Sequence, residues 1–470
     1  MTECTQLSFD FHTACGREVR AQFDGGAITS DGGALLLREV EKRTAIIRQF
    51  ATCFTDHRDS DLIEHSVEQL VAQRVYGLAL GYEDLNDHDQ LRLDPLLAVL
   101  VEKDDPTGTS RRNPRDSGKA LAGKSTLNRL ELTLADAGPK ARYKKIVYNS
   151  AAIEALFVDL FLQAHTQPPQ EIVLDLDDTD DPIHGNQEGR FFHGYYCDYC
   201  YLPLYIFCGE QLLCAKLRPS NIDHSAGALE EIERIVAHIR RAWPQVRITL
   251  RGDSGFCREK HMAWCEAHDA RYLFGLAKNS RLIAALEAEL AQAKTEFETH
   301  QKSARVFKDF RYQTLDSWSS ERRVIGKAEH LEKGSNPRFV VTNIPASEQD
   351  ARSVYEDTYC ARGEMENRIK EQQLYLFADR TSAETMRANQ LRLWYSSLAY
   401  VLLQALRRLG LAETPMASAQ CQTIRLKLLK IGAHIRVTVR KIWLSLAEGY
   451  PYKTIFAQVY EKLIVLPLRC

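Results

Sequence analysis

The 470-residue sequence lacks any apolar run of membrane-spanning length; Leu393 to Leu406 is broken by Ser396, Ser397 and Gln404. Its first residues, MTECTQLSFDFHTACGREVR, are too polar for a secretory signal, so the expected location is the cytoplasm. It also lacks an excess of charge of either sign. Lys and Arg total 61 and Asp and Glu 63, a net charge of −2, so any polyanion must be met by local basic patches. No internal repeat is visible. The 12 cysteines are scattered and suit reduced packing residues better than a disulfide framework. His193, Cys197, Cys200 and Cys208 alone have zinc-like spacing, but Cys197 and Cys200 lie among four tyrosines and the second half-site is poor. What remains is a chain with 44% hydrophobic and 26% charged residues, enough for a real core and long enough for two to four domains.

Three stretches carry the chemistry. The first is Glu171 to Asp181, EIVLDLDDTDD, where Ile172, Val173, Leu174 and Leu176 form a short strand-like run after Pro168 and Pro169. Asp175 and Asp177 stand two apart and therefore share a strand face. A carboxylate on a central strand is costly unless it is paired or binds a cation. The second is RITLRGDSGFC, Arg247 to Cys257, which places Asp253 at the carboxyl end of another strand, where open α/β sheets bind ligands. The third is YCARGEMENRIKEQQ, Tyr359 to Gln373, rich in helix formers. Tyr359, Arg362, Glu366 and Lys370 recur at helical spacing and are expected on one face. Two strand-end aspartates and a helix glutamate are hard oxygen ligands. They suit a pair of Mg²⁺ ions, about 3.5–4 Å apart, clamping a phosphoryl transfer.

With these residues in view, the sequence resembles the DDE transposases of bacterial insertion sequences, in the RNase H-like superfamily. The resemblance rests on LDLDDT with Asp177, RGDSGF with Asp253, and the Tyr-x2-Arg-x3-Glu signature at Tyr359, Arg362 and Glu366, and runs over roughly residues 170 to 410. A related branch has Lys seven residues after the glutamate, where this chain has Gln373; Lys370 is the alternative DNA contact. The resemblance implies Asp177, Asp253 and Glu366 as catalytic metal ligands, with Mg²⁺ as cofactor and Mn²⁺ able to substitute. Tyr359 and Arg362 would position Glu366 or DNA. It also implies cleavage at element ends and strand transfer, DNA partners that are the terminal inverted repeats and the target, a homodimer in the synaptic complex, and a nucleoid-associated protein. The competing readings are an RNase H-like nuclease without strand transfer, a non-catalytic DNA-binding regulator and a P-loop ATPase.

The expected fold is α/β. A mainly helical domain over 1–165 would bind DNA or recognise the ends, the alternative being that it only packs on the core. An RNase H-like core would occupy 170–294 and 346–410, a β insertion domain 295–345 and a basic region 411–470. In the first domain, Ser30-Asp31-Gly32-Gly33 predicts a helix cap, and helices are expected near 60–77 and 94–103. Gly118 to Ser125, GKALAGKS, spells a P-loop, but the residues before it are polar, contain Pro106 and Pro114, and offer no strand. Core strands are expected near 171–177, 201–208, 211–217, 247–252 and 271–276, with an amphipathic helix over 223–241. Trp318, in the polar turn DSWSSERR of the insertion, is expected to stack on a nucleotide flipped out of the duplex. The tail has no acid from Cys421 to Lys441. Alternation of Ile424, Leu426 and Leu428, then Ile435, Val437 and Val439, predicts a basic hairpin, with a helix as the alternative for its first arm, whose Arg425, Lys427, Arg436 and Arg440 contact phosphates.

Overall fold

The computed structural model describes residues 8–469. The chain forms two units, Asn149–Ser397 and Met1–Tyr148 with Leu398–Cys470, and the division falls inside helix Met386–Leu406.

The unit Asn149–Ser397 holds all three candidate carboxylates. It opens with helix α1 (Ser150–Gln163) and strand β1 (Glu171–Asp178). Strands β2 (Leu204–Cys208) and β3 (Gln211–Lys216) follow, then helix α2 (Ala228–Ala242) and strand β4 (Arg247–Gly252). Next come helix α3 (Glu259–Ala267), strand β5 (Arg271–Leu276) and helix α4 (Glu287–His300). Strands β6 (Ala304–Tyr312), β7 (Arg322–Leu331) and β8 (Arg338–Thr342) precede helix α5 (Gly363–Leu376). The main sheet runs β3-β2-β1-β4-β5-β8-β7-β6, with the short strand Gly334–Ser335 on β7 as its ninth member. β1 to β3 form an antiparallel meander, whereas β4 is parallel to β1 and β5 to β4. This is the RNase H-like order expected from the sequence.

Period-2 patterning sorts β1 between two environments. Ile172, Leu174 and Leu176 join the core formed with Ile232, Ile235, Val236 and Ile239 of α2. Each such side chain contributes about 1.5–3 kcal/mol when fully buried. The ends of α2 match its dipole, with Glu230 and Glu231 in the first turn and Arg240 and Arg241 in the last. The opposite face of the sheet carries a second cluster, Leu273, Ile325 and Val340 with Val354 and Tyr355. Asp175 and Asp177 alternate with the leucines and so belong to that opposite face.

Two expectations are corrected in this unit. The segment 295–345 is not a separate β insertion domain: β8 pairs with β5, and β7 and β6 follow, so these strands extend the core sheet. Alternating sequence identifies strands, but the partner of an edge is a long-range choice. Trp318 is not exposed. It is 7% accessible, stands edge-on to Tyr312 with ring centroids 5.8 Å apart, and has the Arg322 guanidinium 5.6 Å from its ring centre. Arg322 pairs with Glu259 at 2.6 Å and Glu266 at 2.7 Å, both on α3. The polar residues around Trp318 cover it rather than present it.

The other unit contains the helices Leu35–Thr44, Val67–Ala79, Pro95–Leu100 and Lys124–Glu131. Asp31 makes no side-chain cap to the short turn after it. The neighbouring glycine is required for another reason: a Cβ on Gly33 would lie 1.7 Å from the Leu428 carbonyl oxygen. The P-loop spelling has no strand before it, and at the start of its helix the Asp89 carboxylate accepts from the Lys124 amide at 3.1 Å. In the tail, Cys421–Ile424 is helical and continues into a wider turn over Arg425–Leu429, so of the two readings of the first arm the helical one holds. The hairpin is Ala433–Val437 with Ile442–Leu446, and Ala27–Thr29 pairs on its edge.

Candidate active site

The register between β1 and β4 assembles the site. Gly252 lies opposite Leu176, so Asp253, the next residue, leaves its strand level with Asp177. Asp253 Oδ1 then accepts from the Gly255 amide at 2.7 Å, which fixes the turn. Gly275 on β5 provides the room. A Cβ there would come within 2.5 Å of the Tyr359 hydroxyl and 3.0 Å of the Ser254 amide. A glycine inside a strand marks such a close approach, and this was the signal available in RYLFGL.

Tyr359 ends a π-helical turn, Val354–Tyr359, and Arg362 ends a single 3-10 turn before α5. The uniform helical face expected for Tyr359, Arg362, Glu366 and Lys370 is therefore interrupted, yet its result survives. Arg362 Nη1 donates to Asp177 Oδ2 at 2.9 Å and Nη2 to Glu366 Oε1 at 2.7 Å. Burial pushes the Asp177 carboxyl up to about 7. Arg362 opposes that shift, and the charges of Asp253, Asp178 and Glu366 add to it. Asp253 and Glu366 thus each lie close enough to Asp177 to act on its charge. Lys370 is exposed further along α5, and Glu364 reaches instead towards Arg368 at 3.5 Å.

The neighbouring acids are used otherwise. Asp175 receives both Nε (2.5 Å) and Nη2 (2.8 Å) of Arg251, whose third nitrogen donates to the Thr358 carbonyl. One buried ion pair therefore ties β1 and β4 to the segment carrying Tyr359. Asp178 accepts from Arg218 at 2.8 Å and lies 3.0 Å from His224 Nδ1. Gln373 donates to the Asp180 carbonyl and to Asp181 Oδ1, each at 3.0 Å. Its amide locks the turn after β1, a task in which a lysine would add a buried charge. The sequence did not reveal Arg251, Arg218, His224 or Gln373 as supports, because each acts on a partner far away in the chain.

A cavity of about 550 Å³ opens beside Asp253, and its lining includes Lys278, Arg338, Tyr355, Tyr359 and Arg362. Trp318 is not part of it. In the tail, Arg425 is buried, with Nε on the Ala79 carbonyl at 2.9 Å and Nη2 on that of Leu78 at 3.1 Å. It caps the helix Val67–Ala79 and does not face DNA. Lys427, Arg436 and Arg440 are exposed. Arg436 and Lys441 flank the half-exposed ring of Trp443, at 5.9 and 5.5 Å.

The three site carboxylates suit a hard divalent cation in kind. Among the described residues, no three His, Cys, Asp or Glu side chains already stand as a metal cage. The positive charge between Asp177 and Glu366 belongs to Arg362.

No curated protein matches the sequence. One similar solved structure is a piggyBac transposase synaptic complex with hairpin DNA, 10% identical over 85% of this chain and 80% of its own, at a TM-score of 0.41, a likeness too loose to carry over any feature. The family model for the transposase DDE domain, group 1, matches residues 11–468, and the chain belongs to that family of DDE transposases.

Proposed function

We propose that this transposase acts on the ends of an insertion sequence, with Asp177, Asp253 and Glu366 as its catalytic metal ligands. The observation that supports this reading is the convergence of these carboxylates from two strand ends and one helix upon Arg362. Mg²⁺ or Mn²⁺, when bound, would stabilise charge on the attacking and leaving oxygens. Asp177 and Asp253 are fixed by strand register, whereas Glu366 is carried by α5, which follows the turn that Arg251 ties to the sheet at Thr358. Tyr359, against Gly275, and Arg362 border the place a DNA strand would occupy, and Lys370 extends the same side of α5. Water adds across a P–O3′ bond, giving a 3′-hydroxyl and a 5′-phosphate. The 3′-hydroxyl then loses its proton and attacks a target phosphorus, forming a new P–O bond and breaking the target's P–O3′ bond, and the freed target 3′-oxygen takes up a proton. The partners are the terminal inverted repeats, target DNA and a second copy of the chain in the synaptic complex. No helix among the described residues is long and apolar enough to cross a membrane, and the protein is proposed to work in the cytoplasm on the nucleoid. The test is incubation with duplexes carrying the element ends, a divalent metal and plasmid target. Joined products are expected. Nicking without joining points to a nuclease, and end binding without either to a regulator.

The exposed hairpin, with Lys427 on the helical turn before it, is proposed to hold DNA backbone through Lys427, Arg436 and Arg440. Arg436→Ala/Arg440→Ala is expected to weaken binding to all duplexes alike and to reduce the slope of log K against log salt by about 1.8, near 0.9 for each lost phosphate contact. Loss confined to element ends would mean base readout instead. Arg425→Ala should leave the salt slope unchanged and lower the melting temperature.

A further inference from the structure

Arg362 faces two ways. Its guanidinium bridges Asp177 and Glu366, and it also lines the cavity beside Asp253. Lys278 and Arg338 line the same cavity and are exposed, while Tyr355 and Tyr359 supply phenol walls with ring centroids 5.5 Å apart. Asp253 is the cavity's single lining carboxylate. Three cations against one acid, beside two aromatic rings, suit a nucleotide held by its phosphate.

We propose that this cavity is a phosphodiester subsite and that Arg362 is shared between it and the catalytic carboxylates, so that DNA and the divalent metal each promote binding of the other. The inference rests on the metal-site reading above. Without DNA, Arg362 serves as a tethered cation that neutralises Asp177 and Glu366. A divalent ion among the same carboxylates repels the guanidinium and competes for the same oxygens. A phosphate held by Lys278 and Arg338 offers Arg362 another partner, and the carboxylates are released to the metal. The coupling is reciprocal by linkage. Metal bound without substrate is thereby disfavoured.

The test measures Mn²⁺ binding by the fall of the free-ion EPR signal, with and without a short duplex, after subtracting Mn²⁺ held by the duplex alone. In the wild-type protein the duplex is expected to tighten Mn²⁺ binding by at least about fivefold, the low end of typical couplings. Arg362→Gln should bind Mn²⁺ without DNA as tightly as the wild type does with it, and the duplex should add nothing. Arg362→Lys, which keeps one charge but not the fork, should fall between. Lys278→Ala/Arg338→Ala should keep the DNA-free affinity and lose the assistance. Wild-type affinity in DNA-free Arg362→Gln and Arg362→Lys overturns the proposal, as does assistance that survives in Lys278→Ala/Arg338→Ala. Asp177→Asn separates the two readings. If it binds Mn²⁺ like the wild type, the metal site itself is wrong; if it loses Mn²⁺ while Arg362→Gln gains nothing, only the sharing of Arg362 fails.

Discussion

Asp177→Asn, Asp253→Asn and Glu366→Gln are each expected to lower strand cleavage by more than about 10³-fold while end binding persists. Loss of a single hydrogen-bond donor to a developing charge already costs roughly 10²–10³, and these acids are proposed to hold the metal itself. Asp177→Asn has a second readout that needs no activity. Its carboxyl, pushed up to about 7 by burial and by neighbouring acids, lies above the ordinary 3.8. A raised carboxyl binds a proton more tightly in the folded chain, so its stabilising contribution is full below about 3.8 and is lost as pH rises through about 7. In metal-free buffer, Asp177→Asn should therefore gain in melting temperature over the wild type between pH 5 and pH 8. A flat difference across that range, or near-normal cleavage with Mg²⁺, defeats the assignment. Asp175 and Asp178 are poor neutral controls. Replacing either strands a buried arginine, Arg251 or Arg218, at a cost of about 3–5 kcal/mol when one partner of a buried pair is removed. Their variants should lose stability first and activity only with it.

Trp318→Ala is expected to destabilise the fold by about 3–5 kcal/mol, the usual cost of removing a buried tryptophan. The indole fills space between Tyr312 and Arg322, and Arg322 in turn neutralises Glu259 and Glu266. Urea unfolding measures the loss. A variant as stable as the wild type that processes DNA slowly would restore the nucleotide-stacking role and contradict the packing described here.

The contrast between these residues shows what the chain makes legible. Asp177 and Asp253 could be placed because a strand's period is local and its carboxyl end follows from the apolar run. The helix carrying Glu366 was legible from composition, although the turns leading into it are first π-helical and then 3-10. Trp318 was misread because polar neighbours in sequence do not reveal Tyr312 and Arg322 closing over the ring. In the tail, Ile424 and Leu428 are buried while Leu426 is 56% exposed, a spacing of four that is helical. Alternation over three apolar residues could not separate that from a strand. Arg425 has the same chemistry whether it caps a helix or meets a phosphate, so only the fold decides. Segment limits failed for a similar reason. Helix α1 belongs with the catalytic sheet rather than with 1–165, and the basic tail shares a unit with the amino-terminal part.

The pairing of Ala27–Thr29 with Ala433–Ile435 sets a clock on synthesis. The edge strand leaves the ribosome early, and its partner is made 404 residues later, counting from Thr29 to Ala433. At about 5–20 residues per second that is a wait of roughly 20–80 s. The unit contiguous from Asn149 to Ser397 has all its strands in hand well before then. The nascent chain therefore holds every strand that positions Asp177 and Asp253, and the helix of Glu366, before the unit built from its two ends can close. A chain released early, by truncation or a frameshift before Ala433, would keep the carboxylates and lack the completed three-stranded sheet with its basic hairpin.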